Sequence, residues 1–169
     1  NGEKLSNYFS TKMEKLLTEG YNIEPFINFF RKILENPSEN SRKSLFEFLD
    51  KNNSPITPDG YFIAFKRVRK DFMDIYTGTF DNSPGKECAV DRANVDSDIN
   101  NTCSYGLHVA ASSYLNNYAS ASGNKTIVVK VNPADVVAVP PDYNQQKMRV
   151  CKYLVLNEIK YENLTKDIK

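Results

Sequence analysis

Residues 56–68, Ile-Thr-Pro-Asp-Gly-Tyr-Phe-Ile-Ala-Phe-Lys-Arg-Val, mark the point where the chain changes from helical to β-rich sequence. Pro58, Asp59 and Gly60 are turn formers, and the run at 61–68 is rich in aromatic and β-branched residues. This composition predicts a tight turn followed by a β-strand. On such a strand Lys66 shares a face with apolar neighbours, whereas Arg67 points to the opposite face.

Upstream of this stretch, apolar residues recur at the spacing of helices. The pattern predicts one helix that stops at Gly20, a second that begins at Pro25 and ends before Asn36, and a third that is capped by Ser38 or Ser41. The apolar stripes of the three helices contain Leu5, Tyr8, Phe9, Met13, Leu16 and Leu17, then Phe26, Ile27, Phe30, Ile33 and Leu34, then Leu45, Phe46 and Leu49.

Downstream, short β-rich runs alternate with turns. Strands are predicted at 61–68, 74–80, 107–109, 126–131, 136–139 and 148–156, with a hairpin from 74–80 to 88–90 and one internal helix at about 112–119. The fold class is therefore α+β. We expect an N-terminal helical segment over 1–53, a mixed, mostly antiparallel β-domain with one internal helix over 54–159, and a polar tail over 160–169.

Composition and charge exclude several classes of protein. The 169 residues carry 22 basic and 21 acidic side chains, a net charge of +1, and 40% hydrophobic residues. These values argue against a disordered, fibrous or disulfide-stabilised chain, and they supply no overall field that would attract nucleic acid. No apolar run approaches the length of a membrane-spanning helix. The three widely spaced cysteines predict reduced thiols and an intracellular location.

Two patterns could carry chemistry around the only histidine. Cys103 and His108 supply a thiol and an imidazole, and with Cys88 and Cys151 they reach the ligand count of a zinc site. The spacing lacks the paired ligands of zinc knuckles, and no catalytic motif is present, so we predict no enzyme, no metal and no cofactor. A cluster of Cys103, His108 and Cys151 remains the alternative, as a metal-dependent enzyme.

The basic run at the end of the predicted strand is the main candidate for binding. Lys66, Arg67, Arg69 and Lys70 lie among aromatic residues, a pattern that suits either single-stranded nucleic acid or an acidic protein partner. Two loops, 81–86 and 140–146, are expected to be exposed and to contribute contacts. The predicted contact residues in these loops are Asp81, Asn82, Lys86, Tyr143 and Asn144.

Two families share sequence blocks with this chain. The stretch 106–110, Gly-Leu-His-Val-Ala, followed by Ser112 and Ser113, resembles the central segment of ADP-ribosyltransferase folds, with His108 where that family has Tyr. That resemblance implies an NAD-related enzyme as a further alternative. A longer series of blocks in the same order resembles the phage rIIB (rapid lysis) family: 36–38 with 45–49, 56–68, 76–79 with 81–85, 102–109, 131–137 and 148–153.

The rIIB resemblance implies a viral accessory protein without enzymatic activity. It implies action through a protein partner, either a rIIA-like companion or a host factor, in host takeover, lysis control or counter-defence. The expected location is the host cell cytoplasm, with peripheral association at the inner face of the membrane. A nucleic-acid-binding module that uses the cluster at 66–70 is the alternative from another class.

Overall fold

A computed structural model of the chain describes residues 2–52, 54–117 and 123–160. In these ranges three α-helices come first: α1 (Gly2–Thr18), α2 (Glu24–Leu34) and α3 (Glu39–Asn52). Seven strands follow: β1 (Phe62–Val68), β2 (Glu87–Ala89), β3 (Leu107–Ala110), β4 (Lys125–Val131), β5 (Val136–Ala138), β6 (Lys147–Val150) and β7 (Lys152–Ile159). The predicted α+β class, with the helices before the sheet, is confirmed.

The seven strands form one sheet in the order β2-β7-β4-β1-β3-β6-β5, and neighbouring strands pair antiparallel. β1 pairs with β4 along its whole length, from Phe62 opposite Val131 to Val68 opposite Lys125. On its other side β1 pairs with β3 at one position, Phe65 opposite Ala110. The sheet therefore consists of two halves that are joined at a single backbone pair.

The helices and the sheet share one hydrophobic core. Phe62 on β1 meets Phe29 of α2 edge to face, with ring centroids 6.4 Å apart, and Phe48 of α3 at 5.9 Å. All three rings are buried, and such aromatic pairs add about 0.5–1.5 kcal/mol to the burial of their area. The helical segment is thus fastened to the β1 half of the sheet by aromatic packing.

A buried side chain, Asn36, joins the helices to the other half of the sheet. Its Nδ2 donates to the carbonyls of Pro133 and Val136, both at 2.8 Å, and its Oδ1 accepts from the amide of Ser38 and from Arg92. Because each polar atom of this amide is bonded, its burial carries no penalty for unmet hydrogen bonds. The link positions the start of α3 against the turn that leads into β5.

The cap of α3 and the turn before β1 follow from local chemistry. Ser38, rather than Ser41, caps α3, since the Ser38 Oγ accepts from the Ser41 amide at 3.2 Å. Gly60 has a φ of +83°, and a Cβ there would lie 2.4 Å from the backbone of Asn28 and Phe29. Only glycine permits this close approach of the turn to α2.

The predicted strand at 74–80 and its hairpin with 88–90 are wrong. Those residues form a loop, because the Asp74 carboxylate accepts the amides of Thr77, Thr79 and Phe80 at 2.8–2.9 Å and so replaces the hydrogen bonds of a strand. β2 pairs instead with β7, with Cys88 opposite Tyr153. An isolated antiparallel bridge between Val68 and Asp74 holds the start of the loop beside the end of β1.

Two further predictions need correction. The run at 148–156 is two strands, because the chain leaves β6 in one half of the sheet at Cys151 and enters β7 in the other half. The internal helix is a 3-10 helix over Ser112–Asn117. The end of that predicted helix, at 118–119, and most of the predicted tail, at 161–169, lie outside the described residues.

We predict that Asn36→Ala lowers the free energy of unfolding by about 2 kcal/mol, because the buried Pro133 carbonyl and the Arg92 guanidinium lose a partner. Asn28→Ala is the matched control. Asn28 makes one bond, from Nδ2 to the Pro58 carbonyl, at the surface, and its loss should cost no more than about 0.5 kcal/mol. Urea denaturation measures both variants, and equal effects would contradict the assigned role of Asn36.

Candidate functional site: a cleft between two halves of the sheet

A cavity of about 250 Å³ opens where β1 and β3 part, and we call it the cleft. One wall is the loop at 74–80, and the opposite wall is the segment 103–108 that leads into β3. Lys66 and Arg67 from β1, Val90 and Tyr153 complete the lining. Since a regular β1/β3 ladder would fill this space, the cleft is a direct consequence of the single pair that joins the strands.

Lys66 bridges the two halves of the sheet at the cleft. Its Nζ donates to the carbonyl of His108 at 2.7 Å, and it lies 5.9 Å from the centre of the Tyr153 ring. If the β1/β3 ladder continued, Arg67 would lie opposite His108. The ladder ends before that pair, and the Lys66 ammonium instead donates to the His108 carbonyl. The lysine that the strand pattern places on the apolar face is therefore part of the architecture.

Burial determines the protonation of the groups around this bridge. Burial lowers the pKa of Lys66 to about 8, although the charge of Asp74 acts in the opposite direction. For Asp74, burial acts to raise the pKa, but the hydrogen bonds from the loop outweigh it and lower the pKa to about 2. At neutral pH the cleft thus contains a charged ammonium and a charged carboxylate whose oxygens are occupied by loop donors.

A buried polar cluster supports the cleft from behind. The Tyr153 hydroxyl donates to Asn82 Oδ1, the Cys88 thiol lies 3.6 Å from the same oxygen, and Asn82 Nδ2 donates to the Phe80 carbonyl. Burial raises the pKa of both Cys88 and Tyr153, so both stay protonated at neutral pH. Asn82 has no exposed surface, which corrects its prediction as a contact residue: it holds the loop from inside.

Arg149 of β6, which is fully buried, holds the loop at 96–101 that precedes the wall at 103–108. Its guanidinium donates to the carbonyls of Asp96, Asp98 and Asn101. Gly106, with a φ of +149°, allows the wall to pass close by, since a Cβ there would lie 2.7 Å from Val95. The sequence signal for this role of Arg149 is a charged side chain within the apolar run at 148–156, and it was not among the predicted site residues.

Cys103 and His108 both line the cleft, whereas Cys151 lies elsewhere. The His108 Nε2 is 2.7 Å from the Ser104 carbonyl and must donate to it, so this nitrogen does not serve as a base toward Cys103. Burial lowers the pKa of His108 to about 4, and the ring is neutral at pH 7. Cys151 packs with Val95 and Val137 in a separate small cluster. No metal-binding group of three His, Cys, Asp or Glu side chains occurs among the described residues.

A second cavity, of about 100 Å³, adjoins the cleft, and we call it the groove. It shares Lys66, Arg67, Tyr76, Cys103 and His108 with the cleft and adds Phe65, Thr102, 109–110, Tyr114, Leu115 and Lys147. Arg67 donates to the Leu115 carbonyl at 3.4 Å. Lys147 forms an ion pair with Asp142 at 2.9 Å, and its ammonium lies 5.8 Å from the centre of the Tyr114 ring.

Comparison with known proteins settles the family. The family model described as Bacteriophage T4 protein rIIB matches residues 2–168. The chain belongs to the rIIB family. Protein rIIB of Enterobacteria phage T4 is 44% identical over 143 residues, which cover 85% of this chain and 46% of that relative. This rIIB chain therefore spans about half the length of the relative, and no solved structure matches it.

Family membership supports a role as a phage accessory protein. Neither the family description nor the name of the relative states an enzymatic activity. Residues from three of the blocks that carry the rIIB resemblance line the cleft: 56–68, 76–79 with 81–85, and 102–109. None of the α-helices in the described ranges is both long and apolar enough to cross a membrane.

The basic cluster of this rIIB chain does not form a continuous patch. Lys66 and Arg67 are half-buried: Lys66 donates to the His108 carbonyl, Arg67 donates to the Leu115 carbonyl, and both line the cleft and the groove. Arg69 donates to the Ile75 carbonyl at 2.9 Å and packs against Gly78, so it holds the loop. Arg69 and Lys70 are both exposed beyond the end of the strand. The exposed part of the cluster is thus Arg69 and Lys70, which is shorter than the basic track that single-stranded nucleic acid uses.

The two predicted contact loops differ in exposure. Asp81 and Lys86 are exposed, and the Lys86 Nζ lies 4.0 Å from the Asp81 Oδ2. This part of the loop at 81–86 is therefore an accessible surface. The loop at 140–146 packs on α3, where Gln145 bonds to Lys51 and Glu47 at 2.7 and 2.9 Å. The side chains of Tyr143 and Asn144 lie outside the described residues.

We predict that the stability difference between wild type and Lys66→Met depends on pH. Because burial lowers the pKa of Lys66 to about 8, the unfolded chain binds more protons between pH 8 and 10.5. Over this interval the wild type should therefore gain about 2 kcal/mol of stability relative to the variant. Cys88 and Tyr153 titrate in both chains, so their contribution largely cancels. Urea denaturation at a series of pH values measures the difference.

Lys70→Met is the control for this measurement. This variant removes the same charge from an exposed position. Its difference in stability from wild type should therefore not change with pH over the same pH interval. If the stability difference between wild type and Lys66→Met is also independent of pH, Lys66 is not buried at the bridge.

Proposed function

We propose that this rIIB chain is a non-enzymatic interaction module that acts through a protein partner in host takeover, lysis control or counter-defence. The observation that carries the proposal is a pair of tyrosines, Tyr76 and Tyr105, at the rim of the cleft. Their side chains are 68% and 60% exposed although both line the same cavity. We call this pair the tyrosine rim.

The chemistry of the tyrosine rim favours a protein partner. Tyrosine is enriched at the energetic centres of interfaces, because a rigid ring contributes apolar area while its hydroxyl bonds to the partner. Tyr76 comes from the 74–80 wall, and Tyr105 comes from the 103–108 wall, where its carbonyl accepts from the Asp96 amide in the loop that Arg149 holds. Partly buried hydrogen bonds hold both walls, so the rim is organised before a partner arrives and little ordering cost opposes binding.

The partner in this proposal is a rIIA-like companion protein of the same phage, with a host factor as the other candidate. Binding would place the chain in the host cytoplasm or, through its partner, at the inner face of the membrane. Asp81 and Lys86 supply an exposed charged surface that a polar interface margin would use.

The test is binding of the companion rIIA protein from the same phage. Wild-type chain and the double variant Tyr76→Ser, Tyr105→Ser are each titrated with the purified companion and followed by calorimetry. We expect the double variant to bind at least about tenfold more weakly, since two aromatic contacts at an interface centre are lost. Native mass spectrometry of the co-expressed pair reports the stoichiometry.

Tyr21→Ser is the matched control, because Tyr21 is 61% exposed but lies on the helical segment. It should leave the affinity unchanged. Equal binding by the double variant and wild type would contradict the tyrosine rim as the partner surface. If wild type does not bind the companion, the assignment of the rIIA-like partner is wrong.

A further inference from the structure

We propose that the groove binds a small organic anion with a planar ring, of the mononucleotide class. This goes beyond the proposed function, because it concerns a small molecule inside the sheet rather than a protein at the tyrosine rim. The inference rests on the charge, the aromatic lining and the size of the groove.

The charge of the groove is positive. Lys66, Arg67 and Lys147 line it, and no carboxylate is among its lining residues. Asp142 forms an ion pair with Lys147 and offsets its charge, and the oxygens of Asp74, in the adjoining cleft, accept bonds from the loop. Lys66 and Arg67 therefore carry the positive charge of the groove. A phosphate is the anion that such a group of lysine and arginine donors recognises best.

The aromatic lining supplies surfaces for a planar ring. Phe65, Tyr76 and Tyr114 line the groove beside the three cations. Aromatic side chains contribute about 1–3 kcal/mol for each nucleobase that stacks on them, largely without regard to the base. Cations alone would suit inorganic phosphate, and aromatic residues alone would suit an apolar ring, so the combination favours a ligand with both parts.

The size of the groove favours one nucleotide over a strand of nucleic acid. The groove of about 100 Å³ adjoins the cleft of about 250 Å³, and five residues line both. Together they reach the lower end of the range for small-molecule pockets, about 300 Å³. Of the basic cluster, Arg69 and Lys70 continue the positive surface beyond the groove, and two side chains are fewer than the longer track that a polynucleotide site uses.

The experiment is calorimetric titration of the full chain with AMP and UMP at low salt. Adenosine, inorganic phosphate and a twelve-residue oligothymidylate are the comparison probes. We expect the mononucleotides to bind at least about tenfold more tightly than adenosine or phosphate, because each of these lacks one recognised part. Equal binding of phosphate and AMP, absence of nucleotide binding, or tighter binding of the oligonucleotide would each overturn the proposal.

Two variants place the ligand in the groove. Arg67→Gln should weaken AMP binding about tenfold, whereas Lys70→Gln, with the same change of charge at the exposed end of the strand, should leave it unchanged. Tyr114→Leu should weaken the binding of AMP without changing the affinity for phosphate. This variant replaces Arg67→Gln in the test if Arg67→Gln fails to fold. If either Arg67→Gln or Tyr114→Leu binds AMP as tightly as wild type does, the placement of the ligand in the groove is wrong.

The two proposals fail separately. Arg67 and Tyr114 do not belong to the tyrosine rim, so their variants should bind the companion protein normally. Tyr105 lines the cleft but not the groove, so Tyr105→Ser should weaken AMP binding less than Arg67→Gln does. Loss of AMP binding in Tyr105→Ser, with Arg67→Gln unaffected, would move the ligand out of the groove and contradict the inference.

Discussion

The hydrogen bond from the Lys66 ammonium to the His108 carbonyl joins two halves of a sheet that share one backbone pair, Phe65 opposite Ala110. This bridge explains how the strands can part without leaving a buried carbonyl unbonded, which would cost about 1–3 kcal/mol. The cleft and the groove both depend on that divergence. Lys66 therefore links the two halves of the sheet and also contributes positive charge to the cleft and the groove.

Much of the fold could be predicted from the sequence, and the failures have physical causes. The spacing of Leu45, Phe46 and Leu49 and the turn before Tyr61 predicted α3 and β1 within a few residues. The stretch at 74–80 has the composition of a strand, but the Asp74 carboxylate bonds the amides that a strand would pair. No local pattern reports such a competition between a side chain and a neighbouring strand.

The site was less predictable than the fold, because it forms from segments far apart in sequence. Alternation along β1 placed Lys66 on the apolar face, and this was the available signal that it is held inside rather than in a surface patch. Cys103 and His108 were an alternative functional cluster on their residue types alone. Both line the cleft, but the Ser104 carbonyl engages the ring nitrogen, which spacing alone cannot reveal. The role of Arg149 depends on three loop carbonyls at 96–101, beyond the reach of any short motif.

The cleft exists because β1 and β3 part after one pair. Cross-strand nuclear Overhauser effects between backbone protons of the isotopically labelled chain test this separation most directly. We expect contacts along the whole β1/β4 ladder, from Phe62 and Val131 to Val68 and Lys125, and between Phe65 and Ala110, but none between Arg67 and His108. A ladder that continues through Arg67 and His108 would close the cleft and contradict this arrangement.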